Sequence, residues 1–327
     1  MAVLQFREAI REALSEEMRL DESIVLMGEE VAEYDGAYKV TQGMYKEFGG
    51  KRIIDTPISE LGFSGIGVGA AMNGLRPIIE FMTFNFAVVG IDQIINNAAK
   101  LKHMSGGQVK IPIVFRGPNA SGGQLAATHS VAYETIYAHI PGLKVIYPSE
   151  PADAKGLLKT AIRDNDPVIF LESEQMYGLK GEVPEQEEFL IPMGKGKIKR
   201  EGTDVTLVAH GKMYHVAKQA AEQLAKDGIE AEIIDPRTIK PLDIEMIVNS
   251  VKKTNRCVVV DETHPFCGFS AEVGFLIQRE AFDYLDAPVQ RVTIPDVPAP
   301  FAKNLLDLWL PKPKQVIDAV NAVMYRN

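Results

Sequence analysis

The chain has 327 residues, of which 46% are hydrophobic and 24% are charged, with 44 Asp and Glu against 35 Lys and Arg for a net charge of −9. This composition is typical of a globular protein of about two domains and excludes a disordered chain. The acidic balance disfavours non-specific nucleic-acid binding. The run 61–75, which has no charged residue, is too short and too rich in glycine to span a bilayer.

The predicted elements of the first half alternate between buried strands and helices. Phe6, Ile10, Leu14 and Met18 recur every four residues and predict an amphipathic helix. Apolar runs predict strands in SIVLMGEE (23–30), RIID, RPIIEFM, KIPIVFRG (110–117), GLKVIYP (142–148) and PVIFLES, with helices led by Ser59 and by PADAKG. Continuous apolar strands between helices indicate a parallel sheet covered on both faces.

The composition changes at residues 178–202, which are rich in Gly, Pro, Glu and Lys and show no hydrophobic period. Such a segment is typical of an inter-domain linker. A second block of alternating strands and helices follows, from DVTLVAHG to PKQVIDAVNAVMY. We therefore predict an α/β fold of two parallel-sheet domains, at 1–178 and 203–327, joined by a linker at 179–202.

The two cysteines, Cys257 and Cys267, form no CxxC motif, so a zinc ribbon or a thioredoxin-like site is not supported. A reducing compartment fits them better than a lone disulfide. The first residues do not resemble a signal peptide, because Arg7 and Glu8 interrupt the apolar run, nor an Arg/Ser-rich presequence. We expect a bacterial cytoplasmic location in preference to the mitochondrial matrix.

Glu60 stands at the start of a predicted helix whose next charged residue is Arg76. An acid there is often only a partner for the helix dipole. The segment EFMTFNF, however, supplies Met82, Phe84 and Phe86, which could enclose a flat ring. Beside such a pocket, desolvation would raise the pKa of the Glu60 carboxyl, so that it could share a proton with a heterocyclic nitrogen.

The glycines and the histidines give weaker signals. Gly62, Gly65, Gly67 and Gly69 match neither GxGxxG nor a P-loop, and indicate tight helix packing or a buried subunit interface. His129 lies in a glycine-rich segment after a predicted strand end, where ligands bind in parallel sheets, although a surface histidine is as good an interpretation. The remaining histidines show no metal-ligand spacing.

Several long motifs together resemble one family. LMGEEVAEYDGAYKVTQGMYKEFGGKRIIDTPISELGFSGIGVGAAMNGLRPIIEFMTFNF, IPIVFRGPN, THS, AIRDNDPV, IIDPRTIKPLD and LDAPVQRVTIPDVPAPFAKNL are similar to segments of the β subunits of thiamine diphosphate-dependent 2-oxo acid dehydrogenases. The likeness covers nearly the whole chain. The wording of EFMTFNF and FRGPN resembles most the subunit of the decarboxylating component that acts on pyruvate.

The resemblance implies a pyrimidine-binding domain followed by a transketolase C-terminal-type domain. Glu60 matches the glutamate that hydrogen-bonds N1′ of the aminopyrimidine and so promotes ylide formation on the cofactor. Met82 and Phe86 match positions that pack on the pyrimidine. His129 matches a histidine that handles protons on the substrate, and Glu29 matches an acid in a chain of carboxylates between paired active sites.

The resemblance also implies partners and ions. Thiamine enzymes hold magnesium and diphosphate through a GDG…NN motif, and no GDG precedes Asn96 and Asn97 at the required spacing. An α subunit would therefore hold both groups, in an α2β2 enzyme that is inactive without it. A potassium site of backbone carbonyls is implied at Ile113, Ala161, Ile162, Asp164 and Asp166, where Asp166 replaces the usual asparagine.

The implied enzyme decarboxylates pyruvate and reductively acetylates the lipoyl group of a dihydrolipoyl acetyltransferase core, which Asp296 would help to dock. Two alternatives stay open at this point. The substrate could be a branched-chain 2-oxo acid or acetoin, and the chain could be a non-catalytic docking subunit. A dinucleotide-binding oxidoreductase is disfavoured because GxGxxG is absent from the sequence.

Overall fold

The first sheet has seven strands and lies mainly in the N-terminal half. The computed structural model describes residues 1–121, 123–186 and 188–326. In spatial order the strands are β12 (Thr238–Lys240), β6 (Lys144–Ile146), β7 (Val168–Glu172), β5 (Val114–Pro118), β4 (Arg76–Glu80), β2 (Ile24–Gly28) and β3 (Ile53–Asp55). All pairs are parallel except β12 with β6. The predicted parallel arrangement is thus confirmed.

Helices cover this sheet because their apolar stripes pack against its buried strands. They are α1 (Phe6–Leu20), α2 (Met44–Phe48), α3 (Glu60–Met72), α4 (Ala99–Met104), α5 (Glu134–His139) and α6 (Pro151–Arg163), with a π-helical segment (Gln93–Ala98) before α4. The neighbouring helices α1 and α6 are also joined by ion pairs, such as Glu16 with Lys159 at 2.6 Å and Glu17 with Arg163 at 2.7 Å.

The second sheet has five strands and its own layer of helices. Its strands in spatial order are β14 (Gln290–Val292), β13 (Cys257–Val260), β10 (Val205–Ala209), β11 (Ala231–Asp235) and the antiparallel β9 (Lys197–Arg200). The helices are α7 (Gly211–Leu224), α8 (Ile244–Thr254), α9 (Phe269–Ala281), α10 (Lys303–Trp309) and α11 (Pro313–Val323). The alternation of strands and helices predicted for the second block is found from β10 to α11, and α10 is a further short helix within it.

The segment predicted as a linker contains two strands. One is β9, and the other is β8 (Lys180–Val183), which pairs antiparallel with β1 (Ala2–Gln5). Both are four-residue strands, KGEV and KIKR, with a single apolar residue each, so they carry no apolar run that would reveal them. The strand β12 belongs by sequence to the second block but extends the first sheet, so the two halves share a continuous core.

Two further expectations concern membrane-spanning helices and the cysteines. Within the described part of the chain, no helix is both long and apolar enough to cross a bilayer. Cys257 is buried, Cys267 is exposed, and both are free thiols.

Candidate active site

The candidate site lies at the carboxyl edge of the first sheet. Glu29 directly follows β2, and Glu60 begins the helix after β3. In the sheet register Gly28 is opposite both Asp55 and Glu80, so the ends of β2, β3 and β4 meet there. Ligands of parallel sheets bind beyond this edge. The topology therefore brings together acids that are distant in sequence.

Glu29 and Glu60 form a buried pair of carboxyl groups. Each side chain is only 6% exposed, and Glu29 Oε1 has no hydrogen-bond partner. Burial raises the pKa of Glu29 to about 7, and the neighbouring Glu60 carboxylate adds to the shift by repulsion and by hydrogen bonding. The Glu29 carboxyl therefore titrates near neutral pH, and its Oε1 is a buried polar atom that a ligand could satisfy.

Close backbone packing fixes the position of Glu60. A Cβ on Gly90 would lie 2.8 Å from the Glu60 carbonyl oxygen, so only glycine allows this approach. A Cβ on Gly67 would lie 2.6 Å from Ile79 Cδ1, so that glycine lets α3 lie directly on β4. The predicted tight packing of the α3 glycines is confirmed at Gly67, whereas Gly69 has no heavy atom within 4 Å of an added Cβ.

An aromatic cluster links α3 to the segment that carries Met82 and Phe86. Phe81 packs against Phe63 of α3 in a tilted arrangement at 5.7 Å and edge-to-face against Phe84 at 5.4 Å, measured between ring centroids. Phe84, expected to help enclose a ring, is instead fully buried in the core. Met82 and Phe86 remain half-buried and are available at the surface of the site.

His129 lies against Phe86. Their ring centroids are 5.0 Å apart and nearly perpendicular, and the His129 Nδ1 is 2.8 Å from the hydroxyl of Thr128. Asn85 joins the two segments, because its Oδ1 accepts a hydrogen bond from the Val131 backbone N–H at 2.9 Å. The structure thus brings His129 to Phe86 and Glu29 to Glu60 at one edge of the sheet.

A buried charged trio at the same edge was not found by reasoning from the sequence. Arg116 donates two hydrogen bonds of 2.6 Å to Glu172 and a further one to Glu80. Although burial lowers the pKa of Arg116, its two acidic partners outweigh this and raise it. Burial raises the pKa of Glu80, against the attraction of Arg116. The signal was available, since Glu80, Arg116 and Glu172 each stand at or near the end of an apolar strand.

The residues of the implied potassium site come together around the turn between α6 and β7. Arg76 Nη1 donates to the carbonyls of Ile162 and Asp164, both at 2.9 Å. Lys144 Nζ donates to the Asp164 and Asp166 carboxylates at 2.7 and 3.3 Å. The carbonyls of Ile113 and Ala161 accept backbone N–H groups, from Val168 at 2.9 Å and from Asp164 at 3.2 Å.

Asp296 lies on an exposed loop of the second half of the chain. Its carboxylate is 3.9 Å from His264 Nδ1, and its side chain is 77% exposed. The nearby apolar side chains of Val297 and Phe301 are 53% and 66% exposed. Within the described residues, no group of three or more His, Cys, Asp or Glu side chains is placed to hold a metal ion.

Comparison with known proteins identifies the family. The family model of the transketolase pyrimidine binding domain matches residues 2–180, and that of the transketolase C-terminal domain matches residues 194–316. A pyruvate dehydrogenase E1 component subunit beta of Rhizobium meliloti is 56% identical over 326 residues, which cover 100% of this chain and 71% of the relative. The chain belongs to the family of pyruvate dehydrogenase E1 component β subunits.

Further matches agree with this membership of the E1 β family. A mitochondrial E1 subunit beta of Bos taurus is 54% identical over 97% of this chain and 90% of the relative. A solved structure titled as a split gene transketolase in an inactive β4 tetramer superposes with a TM-score of 0.80, at 24% identity and over 98% of both chains. That likeness shows the fold, which is a transketolase-like α/β fold as the sequence resemblance implied.

Proposed function

We propose that the chain, together with an α subunit, decarboxylates pyruvate with thiamine diphosphate and reductively acetylates the lipoyl group of a dihydrolipoyl acetyltransferase. The observation that carries the proposal is the buried pair of Glu29 and Glu60 at the sheet edge, with an unpartnered oxygen on Glu29. Thiamine diphosphate supplies the carbanion chemistry that cleavage of a 2-oxo acid requires. Membership of the E1 β family favours pyruvate over the other substrates.

Glu60 and Glu29 would hold a proton at the aminopyrimidine end of the cofactor. A carboxyl group with a pKa near neutrality can donate to or accept from a ring nitrogen at physiological pH. Burial and repulsion raise the pKa of Glu29 to about 7, so Glu29 meets this requirement. In this proposal Glu60 bonds the ring nitrogen N1′, and Glu29 passes the proton on toward a second site.

Met82, Phe86 and His129 would complete this half of the site. The half-buried Met82 and Phe86 side chains supply apolar surface for a flat ring and exclude water from it. His129, which packs edge-on against Phe86, can hold or release a proton on the substrate side. These roles remain proposals that the experiments below address.

The α subunit is the proposed source of the magnesium and diphosphate sites. The outer face of α3, directly behind Glu60, is uncharged and apolar, and its Leu61, Ile66 and Met72 side chains are 48%, 65% and 45% exposed. Val89, next to the aromatic turn, is 59% exposed. Obligate interfaces bury such apolar surface. We propose that this face contacts another subunit of an α2β2 enzyme.

The decisive experiment is turnover by the reconstituted complex. We expect no pyruvate turnover from the chain alone, and turnover when an α subunit is present. Glu60→Gln should reduce kcat at least ~100-fold, because the proton at the cofactor is lost, while assembly is unchanged. Glu30→Gln is the matched control, since Glu30 is the exposed neighbour of Glu29. Near-normal turnover by the Glu60→Gln complex would refute this role.

The two alternatives give different outcomes. A branched-chain enzyme would turn over 3-methyl-2-oxobutanoate faster than pyruvate in the same assay. A non-catalytic docking subunit would tolerate changes at Glu60 and His129 but not at Asp296. In our proposal Asp296→Asn weakens binding to the acetyltransferase core and leaves turnover of free pyruvate with an artificial electron acceptor unchanged, because the Asp296 side chain is 77% exposed and is not one of the residues proposed to hold the cofactor.

The potassium ion and the compartment remain predictions. The carbonyls of Ile162 and Asp164 already accept from Arg76, so a potassium ion would have to share them. If it does, potassium chloride should raise the melting temperature above that in choline chloride at equal ionic strength. A bacterial cytoplasmic location is consistent with two free thiols.

A further inference from the structure

The segment that carries His129 is held at its base by the second half of the chain. The backbone N–H of Ala120 donates to the Val131 carbonyl at 3.2 Å and closes this base. Ser121, the next residue, is fully buried, and its backbone N–H donates to Glu262 Oε1 at 3.1 Å. Its carbonyl accepts from Lys212 Nζ at 2.7 Å. Both polar backbone groups of Ser121 are therefore bonded to side chains of the second half.

Lys212 and Glu262 also bind each other. Their Nζ–Oε1 distance is 2.6 Å, and the two residues are only 8% and 3% exposed. Burial raises the pKa of Glu262, whereas the Lys212 ammonium lowers it. A buried ion pair is weak evidence for stability by itself, because desolvation cancels much of the attraction. Here each charge has a second task, which is to satisfy one backbone group of Ser121.

A second contact supports the same connection. Asn119 Oδ1 accepts from the Tyr133 N–H at 2.9 Å, and Asn119 Nδ2 donates to Glu134 at 2.7 Å. The other oxygen of Glu134 is 3.4 Å from Nε2 of His210, at the start of α7. The first turn of α7 thus reaches the base of the His129 segment through both His210 and Lys212.

We propose that the Lys212–Glu262 pair is a positioning device that sets where His129 stands relative to Phe86. This inference rests on the function proposed above, because it concerns the substrate side of that same site. The second half of the chain then determines the geometry of His129, a proposed proton-handling group that the first half carries.

The test uses Lys212→Met/Glu262→Gln, which removes both charges and leaves no lone buried ion. In the complex with the α subunit we expect kcat to fall roughly 10-fold, as small misplacements of reacting groups do, with KM for pyruvate and thiamine diphosphate affinity within about twofold. With Glu262 unchanged, Lys212→Arg keeps the positive charge and should retain much of kcat. Lys240→Met is the matched control, since Lys240 also donates to first-half carbonyls, those of Ala138 and Ile140, without touching this segment.

Two readouts separate positioning from general stability. In a His129→Gln background the double substitution should cause no further fall in kcat, because it acts through His129. Hydrogen exchange of the Ala120 and Val131 amides should accelerate at least ~10-fold as their bonds open more often. Equal kcat losses in both backgrounds, or exchange no faster than in Lys240→Met, would overturn the proposal.

The exchange measurement does not depend on turnover. It can be made on the chain without an α subunit, so it still decides whether the pair holds the segment if pyruvate proves to be the wrong substrate. Failure of the proposed function would appear as absent pyruvate turnover in the unsubstituted complex. Failure of the positioning device would appear as unchanged exchange in an otherwise folded variant. The two results are therefore distinguishable.

Discussion

Two buried groups of charges lie at the same edge of the first sheet and are built in opposite ways. In the trio, Arg116 pairs with both Glu172 and Glu80, and its Nε and Nη2 donate to the two carboxylate oxygens of Glu172 at 2.6 Å. In the pair, Glu29 and Glu60 face each other with no cation among their described contacts, and Glu29 Oε1 lacks a partner. One group is satisfied by the chain itself, and the other is not.

The difference separates structure from function at this edge. A buried carboxylate without a cation is costly, and a chain keeps one only where something outside the chain, such as a ligand or a proton, compensates for it. The trio joins the ends of β4, β5 and β7. In our proposal the pair is completed only when the cofactor binds, so its substitution should affect function more than folding.

The largest expected effect comes from breaking the trio. Arg116→Met leaves Glu80 and Glu172 buried without their counter-charge, so the free energy of unfolding should fall by about 3–5 kcal/mol. Urea denaturation followed by circular dichroism measures this. Because Arg116 is fully buried, water cannot compensate for the loss.

An exposed ion pair provides the control for this prediction. Arg19→Met removes a 2.5 Å contact with Glu47, but these side chains are 55% and 40% exposed. Surface pairs contribute only about 0–1 kcal/mol. If Arg116→Met and Arg19→Met are equally stable, the trio has no structural role and the comparison fails.

The trio also shows what reasoning from the sequence could not reach. Each member was visible as a charge ending an apolar strand, but Arg116 is 36 residues from Glu80 and 56 from Glu172. Only the strand order β7-β5-β4 makes them neighbours. Local patterns predicted the long helices and most strands, because periodicity is a local property. The short helices α2, α4, α5 and α10 were missed, since five to seven residues are too few to show a period. Contacts such as those of Asn85 with Val131 depend on topology and were missed.

The candidate site was predicted in part for the same reason. Glu60 stood out because it precedes a long uncharged helix, and His129 because it follows a strand. Glu29 was named only through resemblance to a family, since one acid after a strand has no local signature. Short polar strands such as β8 and β9 were assigned to a linker. Their pairing energy comes from distant partners, which a single segment does not reveal.

The pair should make stability depend on pH. The pKa of Glu29 is raised from 4.5 to about 7 in the folded chain, so between these values the folded state binds more protons than the unfolded state. The contribution of Glu29 to stability is complete below about pH 4.5 and is lost as the pH rises through about 7. The free energy of unfolding falls by no more than ~1.4 kcal/mol per pH unit in this range. Glu29→Gln should remove this part of the slope, measured by urea denaturation at several pH values.

Other buried acids titrate in the same pH range, so the test compares the pH dependence of stability between variants. Burial raises the pKa of both Asp235 and Asp261 to about 6, and these groups contribute a slope of the same sign. Glu30→Gln, which changes the exposed neighbour, should keep the full slope. An unchanged slope in Glu29→Gln would mean that the pair does not retain a proton in the folded chain.

The smallest expected effect concerns the helix that carries Glu60. Gly69 has no heavy atom within 4 Å of an added Cβ, so Gly69→Ala should stabilise the free chain by about 0.5–1 kcal/mol through helix propensity alone. Gly274→Ala, in α9, where the nearest atom is 4.0 Å away, should give a similar gain and serves as the control. If the outer face of α3 is buried against another subunit, only Gly69→Ala should also weaken assembly, measured by analytical ultracentrifugation with the α subunit. The same helix would then direct Glu60 toward the site and its apolar face toward a partner, which would explain why a site left incomplete by one chain lies beside an apolar surface.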